Sequence, residues 1–306
     1  MQKRNYLLLV LRGCAMGAAD VIPGVSGGTI AFITGIYEEL IDSIRSVNLQ
    51  ALRLLFTFRW QELWKHINGN FLFSVVAGIA ISIFSLAKLM KFLLETYPIH
   101  VWSFFFGLII ASAFLVFKEV KNWNVFTVLS LLAGGIMAYT ITVLSPTTTP
   151  ETWWFILFSG AIAICAMILP GISGAFILLL LGKYEYIITA VSNFNIGILL
   201  VFLVGAVSGL IAFSHLLSWL LKNYHGLTVA LLTGFMIGSL NKIWPWKINN
   251  PEFINGEMFE TEKNVLPHTF EQMQASDPYT WQAILMCLIG FLLIWGIEKM
   301  AVALKK

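Results

Sequence analysis

Two stretches of this chain cannot stay helical, although the residues on either side are apolar enough to do so. They are Pro23-Gly24-Val25-Ser26-Gly27-Gly28-Thr29 and Pro170-Gly171-Ile172-Ser173-Gly174. Proline removes a backbone donor and crowds the preceding turn, and glycine lowers helix propensity, so a helix entering either stretch breaks there. Setting Pro23 against Pro170 also aligns Gly13 with Gly160, Ala19 with Ala166, Gly35 with Gly182, Tyr37 with Tyr184 and Glu38 with Glu185. The same unit occurs twice, and an internal duplication organises the chain.

The setting of the two breaks is a membrane. Of the 306 residues 58% are hydrophobic and 11% charged, with a mean hydropathy of +0.82, whereas soluble domains carry about a quarter charged residues. Long apolar runs favour helices over a barrel. The net charge of +3 is small, and nothing resembles a nucleic-acid footprint. Cys14, Cys165 and Cys287 stand apart in apolar stretches and the histidines are scattered, so neither a disulfide framework nor a metal site is expected, and no cofactor. Lys3, Arg4 and the apolar run 6–11 imitate a secretion signal, but Arg12 interrupts a run of about six residues, short of the roughly seven to fifteen required.

Residues 5–44 form two helical pieces around the first break, each shorter than the roughly 20 residues of a full span, which predicts a re-entrant hairpin. The connection 45–69 mixes Arg45, Arg53, Arg59 and Lys65 with Phe56, Phe58, Trp60 and Trp64, the composition of an amphipathic helix on the cytoplasmic leaflet. Spans are expected over 70–94, 99–117 and 125–145. Pieces at 153–168 and 175–191 then flank the second break, followed by spans at 196–221, 226–243 and 279–301. Gly78 aligned on Gly205 also brings Lys88 onto His215, Tyr97 onto Tyr224 and Gly107 onto Gly234.

One hairpin plus three spans is an odd number of crossings, so the second copy enters from the opposite side. The basic residues agree: Lys118, Lys121, Lys222 and the C-terminal lysines fall inside, while the base-free segment 145–151 and the acidic stretch within 244–278 fall outside. Lys88 and Lys91 depart from this rule. The expected architecture is an all-α polytopic membrane protein, one domain over 1–306, in which 5–145 and 152–301 are inverted-topology repeats. Each repeat is a broken, re-entrant helical hairpin plus three transmembrane helices, and both termini are cytoplasmic. In secondary transporters this arrangement builds an alternating-access site.

Unwound backbone at membrane depth survives only when buried in protein or lining a wet cavity. Amide donors at the helix starts after each break suit an anion such as a phosphate. The candidate ligands are Gly24, Ser26, Gly27, Gly28 and Thr29 in the first break and Gly171, Ser173 and Gly174 in the second, with Pro23 and Pro170 as the breaking residues. The alternative is that these residues only permit close packing and a turn. Ionisable groups within a membrane default to function. Arg12 and Lys88 are candidate countercharges, each otherwise placed to snorkel; Asp20, Glu38, Glu185 and His215 are candidates for coupling or gating, with Asp20 otherwise a cap for the break and the glutamates otherwise interfacial or paired between helices. Tyr37 and Tyr184 read as interfacial anchors. No Gly-Lys-Ser/Thr follows the glycines, which excludes a nucleotide loop.

At these residues the chain resembles a known family. GCAMGAADVIPGVSGGTIAFITGIYEEL at 13–40, echoed by ILPGISGAFILLLLGKYE at 168–185, is similar to the PopT-type polyprenyl-phosphate transporters, and the likeness spans nearly the whole chain. The resemblance implies translocation of undecaprenyl phosphate, the carrier lipid of peptidoglycan and other envelope polymers, from the outer to the inner leaflet of the bacterial cytoplasmic membrane. It implies a non-enzymatic protein whose partners are that lipid and the membrane. Moving an anion inward against an inside-negative potential requires a coupling proton or sodium ion. A homo-oligomer is compatible with this reading. Ala175 and Phe176 replace Gly28 and Thr29, which argues against a symmetric phosphate site. A transporter of a small soluble anion and an intramembrane lipid-phosphate enzyme are the alternatives.

Overall fold

The computed structural model describes residues 5–20, 26–147, 149–254 and 257–303. In the first half, α1 (Tyr6–Asp20), α2 (Gly27–Ile33) and α3 (Tyr37–Arg45) form the broken hairpin, α4 (Leu49–Phe56) and α5 (Trp60–His66) the connection, and α6 (Gly69–Thr96), α7 (Pro98–Glu119) and α8 (Val125–Val143) the long helices. In the second half, α9 (Trp153–Ile168), α10 (Gly174–Leu180) and α11 (Tyr184–Ser192) repeat the hairpin, and α12 (Ile196–Asn223) and α13 (His225–Ser239) follow it. A strand pair, β1 (Lys247–Ile254) and β2 (Glu257–Asn264), and the short α14 (Pro267–Gln274) precede α15 (Thr280–Ala303).

Several boundaries differ from the sequence expectation, each for a local reason. The piece predicted over 175–191 is two helices, α10 and α11, bent by 109° where Gly182 adopts a φ of 60°. The first half bends at the equivalent place, Gly35, with a φ of 70°, so each hairpin has three arms. The amphipathic connection is split in the same manner, with Phe58 at a φ of 54° between α4 and α5. The span predicted to reach residue 243 is helical only to Ser239. Segment 244–278 carries an antiparallel hairpin, with Lys247 opposite Asn264 and Ile254 opposite Glu257.

The two halves share an order of elements. Both α6 and α12 have 28 residues, and each passes to the next helix through one tyrosine. Tyr97 has φ −131° and ψ 50°, and its counterpart Tyr224 has φ −134° and ψ 45°. The hairpins dock alike, α1 on α6 and α9 on α12, whereas α8 packs on α13 and α7 on α15, so the last helix of each half is held by the other half.

Glycines let these backbones touch, as between membrane helices generally. A Cβ on Gly78 would strike the Val10 carbonyl and one on Gly13 the Val75 carbonyl; Gly205 and Gly160 stand likewise against Leu157 and Phe202. The pairs Gly107–Gly290 and Gly134–Gly234 join the other two crossings in the same way.

Pro98–Glu119, Val125–Val143, Ile196–Asn223 and an 18-residue stretch of α6 are long and apolar enough to cross a membrane, and the bent α10–α11 pair is a broken span or re-entrant segment. Large apolar side chains such as Phe84, Phe126, Ile136, Leu203 and Leu288 face outward, as a lipid-facing surface requires. The core between α7 and α13 includes Ile109, Val116, Val229, Leu232 and Met236, all at most 2% exposed.

Candidate functional site

The two breaks meet. Thr29 Oγ1 on α2 accepts the Gly171 N–H at 3.0 Å, and Ser26 Oγ donates to the Met167 carbonyl at 2.9 Å. Tyr37 donates its hydroxyl to the Ile168 carbonyl at 3.2 Å. Backbone groups freed where α9 ends are thus bonded by side chains from the first hairpin, as buried peptide groups demand. Ser26 and Thr29 are fully buried, and the contact is tight enough that a Cβ on Gly28 would strike the Ile168 carbonyl.

The donors at the start of α2 are engaged by the chain itself. Asp20 Oδ1 accepts the Gly27 N–H at 2.7 Å, and Ser26 Oγ accepts the Gly28 N–H at 3.1 Å. The second break is less furnished. Ser173 occupies the cap position of α10 with no side-chain cap bond, and Gly171 has a φ of 90°, a conformation that glycine adopts without strain. There Gly171 lies against Ser239 and the Phe235 carbonyl of α13, and Gly174 against the Ala163 carbonyl of α9.

The remaining candidates are dispersed. Glu38 accepts from His225 Nε2 at 3.0 Å. One turn on, Asp42 Oδ1 holds Lys222 at 2.8 Å and accepts from Ser218 at 2.6 Å, while Arg45 donates to Ser218 at 3.0 Å. These bonds fasten α3 to α12 and to the start of α13. Glu185, the counterpart of Glu38, is exposed. Tyr37 is 2% exposed and Tyr184 40%, so Tyr37 is a core residue and not the interfacial anchor expected. Arg12 feels the charge of Glu39 on α3. His215 Nδ1 donates to the Ile211 carbonyl of its own helix at 2.8 Å, and lines a cavity of about 440 Å³ with Asn48, Leu49 and Gln50. Pro23, Gly24 and the side chain of Lys88 lie outside the described residues.

Three lysines escaped the sequence reading. Lys183, at the bend between α10 and α11, is 2% exposed and donates to the Thr149 carbonyl at 2.7 Å. Lys242 and Lys247 flank Ile243-Trp244-Pro245-Trp246 and share one carboxylate, Glu262. The available signal was the charge rule: all three fall on the side that the expected topology leaves poor in bases. Among the described residues no group of three or more His, Cys, Asp and Glu could hold a metal.

Long apolar helices, a bent helix pair and two broken hairpins in contact define a multi-pass helical membrane protein with its backbone interrupted at the centre. The chain belongs to the undecaprenyl phosphate translocase-like family, whose model matches residues 16–258. It is 50% identical over 301 residues to a polyprenyl-phosphate transporter of Vibrio cholerae serotype O1, with 97% of each chain covered. It is 34% identical over 254 residues to a polyprenyl-phosphate transporter of Staphylococcus aureus, with 77% of this chain and 85% of that one covered. No solved structure matches. The relatives are named as transporters, in keeping with the non-enzymatic role that the sequence implies.

Proposed function

We propose that the protein moves undecaprenyl phosphate from the outer to the inner leaflet of the bacterial cytoplasmic membrane, by alternating access between two inverted repeats with both termini inside. The observation that carries this reading is the contact between the two breaks, Thr29 to Gly171, in a chain whose relatives are named polyprenyl-phosphate transporters. Interrupted helices that touch at the core supply a polar path for a headgroup, while the isoprenoid tail remains in lipid.

The headgroup competes with the chain's own bonds. The Asp20 carboxylate sits on the Gly27 amide where a phosphate oxygen would sit, so the anion and the ionised aspartate exclude each other. A proton taken up by Asp20 releases Gly27 to the phosphate, with Ser26, Gly28, Thr29, Gly171, Ser173 and Gly174 around it and Arg12 and Lys88 as countercharges. The same proton offsets the inward movement of negative charge, which costs about 2.3 kcal/mol per charge per 100 mV. Glu38 and Glu185, in the first turns of α3 and α11, act as gates on opposite sides. The bonded α3 and the exposed α11 correspond to a carrier closed on its inner side and open on its outer side.

The test uses liposomes carrying the purified full chain and a fluorescent polyprenyl phosphate, with a phosphatase added outside. The expected result is that the phosphatase consumes the whole lipid pool, because the inner-leaflet share is brought to it. Hydrolysis that stops at the outer-leaflet share, as in protein-free liposomes, would overturn the reading. Inorganic phosphate uptake by the same liposomes, without lipid movement, would favour a soluble-anion carrier.

A further inference from the structure

One charged cluster beside the second break has no part in the transport proposed above. Lys242, in the turn after α13, and Lys247, the first residue of β1, both reach Oε2 of Glu262 on β2, at 3.2 and 2.9 Å. The lysine side chains are only 19% and 9% exposed, and Glu262 is 42% exposed. Each ammonium rests on an aromatic ring: Lys242 lies 4.5 Å from the centre of Phe176 on α10, and Lys247 lies 4.1 Å from that of Trp102 on α7. Among the described residues the charges acting on Lys247 are Glu262 and Lys242. Among the described residues two cations share this one carboxylate, which leaves an unneutralised positive charge in an aromatic cup. Ring faces offset part of that cost, but a cation withdrawn from water favours a further anion.

The sheet register explains which partner is fixed. Lys247 pairs with Asn264, so Glu262, two residues before Asn264, is its diagonal neighbour on the same face. The lysine end is pinned: Asn264 Nδ2 donates to the Asn241 carbonyl at 2.6 Å, and Trp246 Nε1 donates to the Pro278 carbonyl at 2.8 Å. Glu262 lies further along the hairpin and is the more exposed partner. The cluster also adjoins the second break, since Phe176 follows Gly174 by two residues and Ser239, three residues before Lys242, lies against Gly171.

We propose that Lys242 and Lys247 form a docking site for a phosphate monoester headgroup, and that Glu262 is a resident anion which the phosphate displaces. On the transport reading, on which the lipid source of that phosphate rests, the site faces the outer leaflet and passes the headgroup to the second break.

Calorimetric titration of the full chain in detergent, with farnesyl phosphate, inorganic phosphate and farnesol as probes, tests this. Removing the internal competitor, Glu262→Gln, is expected to tighten farnesyl phosphate binding about tenfold, and Lys242→Gln with Lys247→Gln to weaken it about tenfold or more. Farnesol binding is expected to be the same in every variant. Unchanged or weaker binding by a folded Glu262→Gln overturns the displacement, and wild-type affinity in the double lysine variant overturns the site. If that double variant aggregates, Lys242→Arg with Lys247→Arg retains the charge and is expected to bind; its failure to bind while folded counts against the site. Inorganic phosphate binding as tightly as farnesyl phosphate would assign the site to a soluble anion and overturn the lipid source. Wild-type transport in liposomes with all variants binding alike removes this site alone; binding as expected without transport removes the transport reading alone.

Discussion

Thr29 shows how much of the centre rests on single atoms. Its hydroxyl is the acceptor for Gly171 N–H, and the residue is fully buried. Thr29→Val has nearly the same shape but strands that amide, at a cost of about 1–3 kcal/mol. Thermal unfolding should show a lowered midpoint for Thr29→Val and little change for Thr29→Ser; equal midpoints would show that the bond is dispensable. Lys247 is the residue with the clearest pH signature. Burial brings its ammonium down from 10.5 to about 8, with Lys242 pushing the same way and Glu262 opposing. The folded chain therefore holds fewer protons than the unfolded one between those values, so this group makes stability rise with pH across that window. The charge of the docking pair falls over the same range. Farnesyl phosphate affinity should drop as the pH is raised through about 8, and Lys247→Gln should remove that step. A step of equal size in Lys247→Gln would assign the titration to another group.

At the scale of elements, what could be read in advance was whatever is encoded locally. The Pro-Gly breaks and the long apolar runs announce themselves by composition, and α7, α8 and α9 lie within a few residues of their predicted spans. The bends at Gly35 and Gly182 did not, because a single glycine in an apolar run usually signals packing, and only the backbone reveals a positive φ. The lysine pair was hidden for another reason: Glu262 is 20 residues from Lys242, on a strand whose sequence, EMFETEKN, lacks clear alternation. Ser26 and Thr29 were recognisable as special, but not that their partners would be Met167 and Gly171 of the other half. The aligned glycines turned out to mark the helix crossings. Gly205→Leu drives a side chain into the Leu157 backbone, whereas Gly226 has open space around it. Size-exclusion chromatography should show Gly205→Leu aggregated and Gly226→Leu monodisperse; a well-folded Gly205→Leu would mean that α9 and α12 can part.

Over the whole molecule, duplicated parts occupy unlike environments. The Tyr37 ring is 2% exposed beneath a fastened α3, and its counterpart Tyr184 is 40% exposed. On the transport reading the two hairpins exchange these roles during a cycle. In the resting protein, Tyr184→Cys should react with a membrane-permeant maleimide well ahead of Tyr37→Cys. Breaking the Asp42–Lys222 pair by Asp42→Ala should narrow that gap. Equal reaction at both positions from the outset would mean that α3 and α11 are alike in solution.

The one-residue joints at Tyr97 and Tyr224 limit how such an exchange can happen. With no slack between the long helix and its successor, the two can swivel about a common pivot but cannot slide past one another. On the transport reading the travel then belongs to the hairpin arms, with Gly35 and Gly182 as the hinges, like doors hung on a rigid frame.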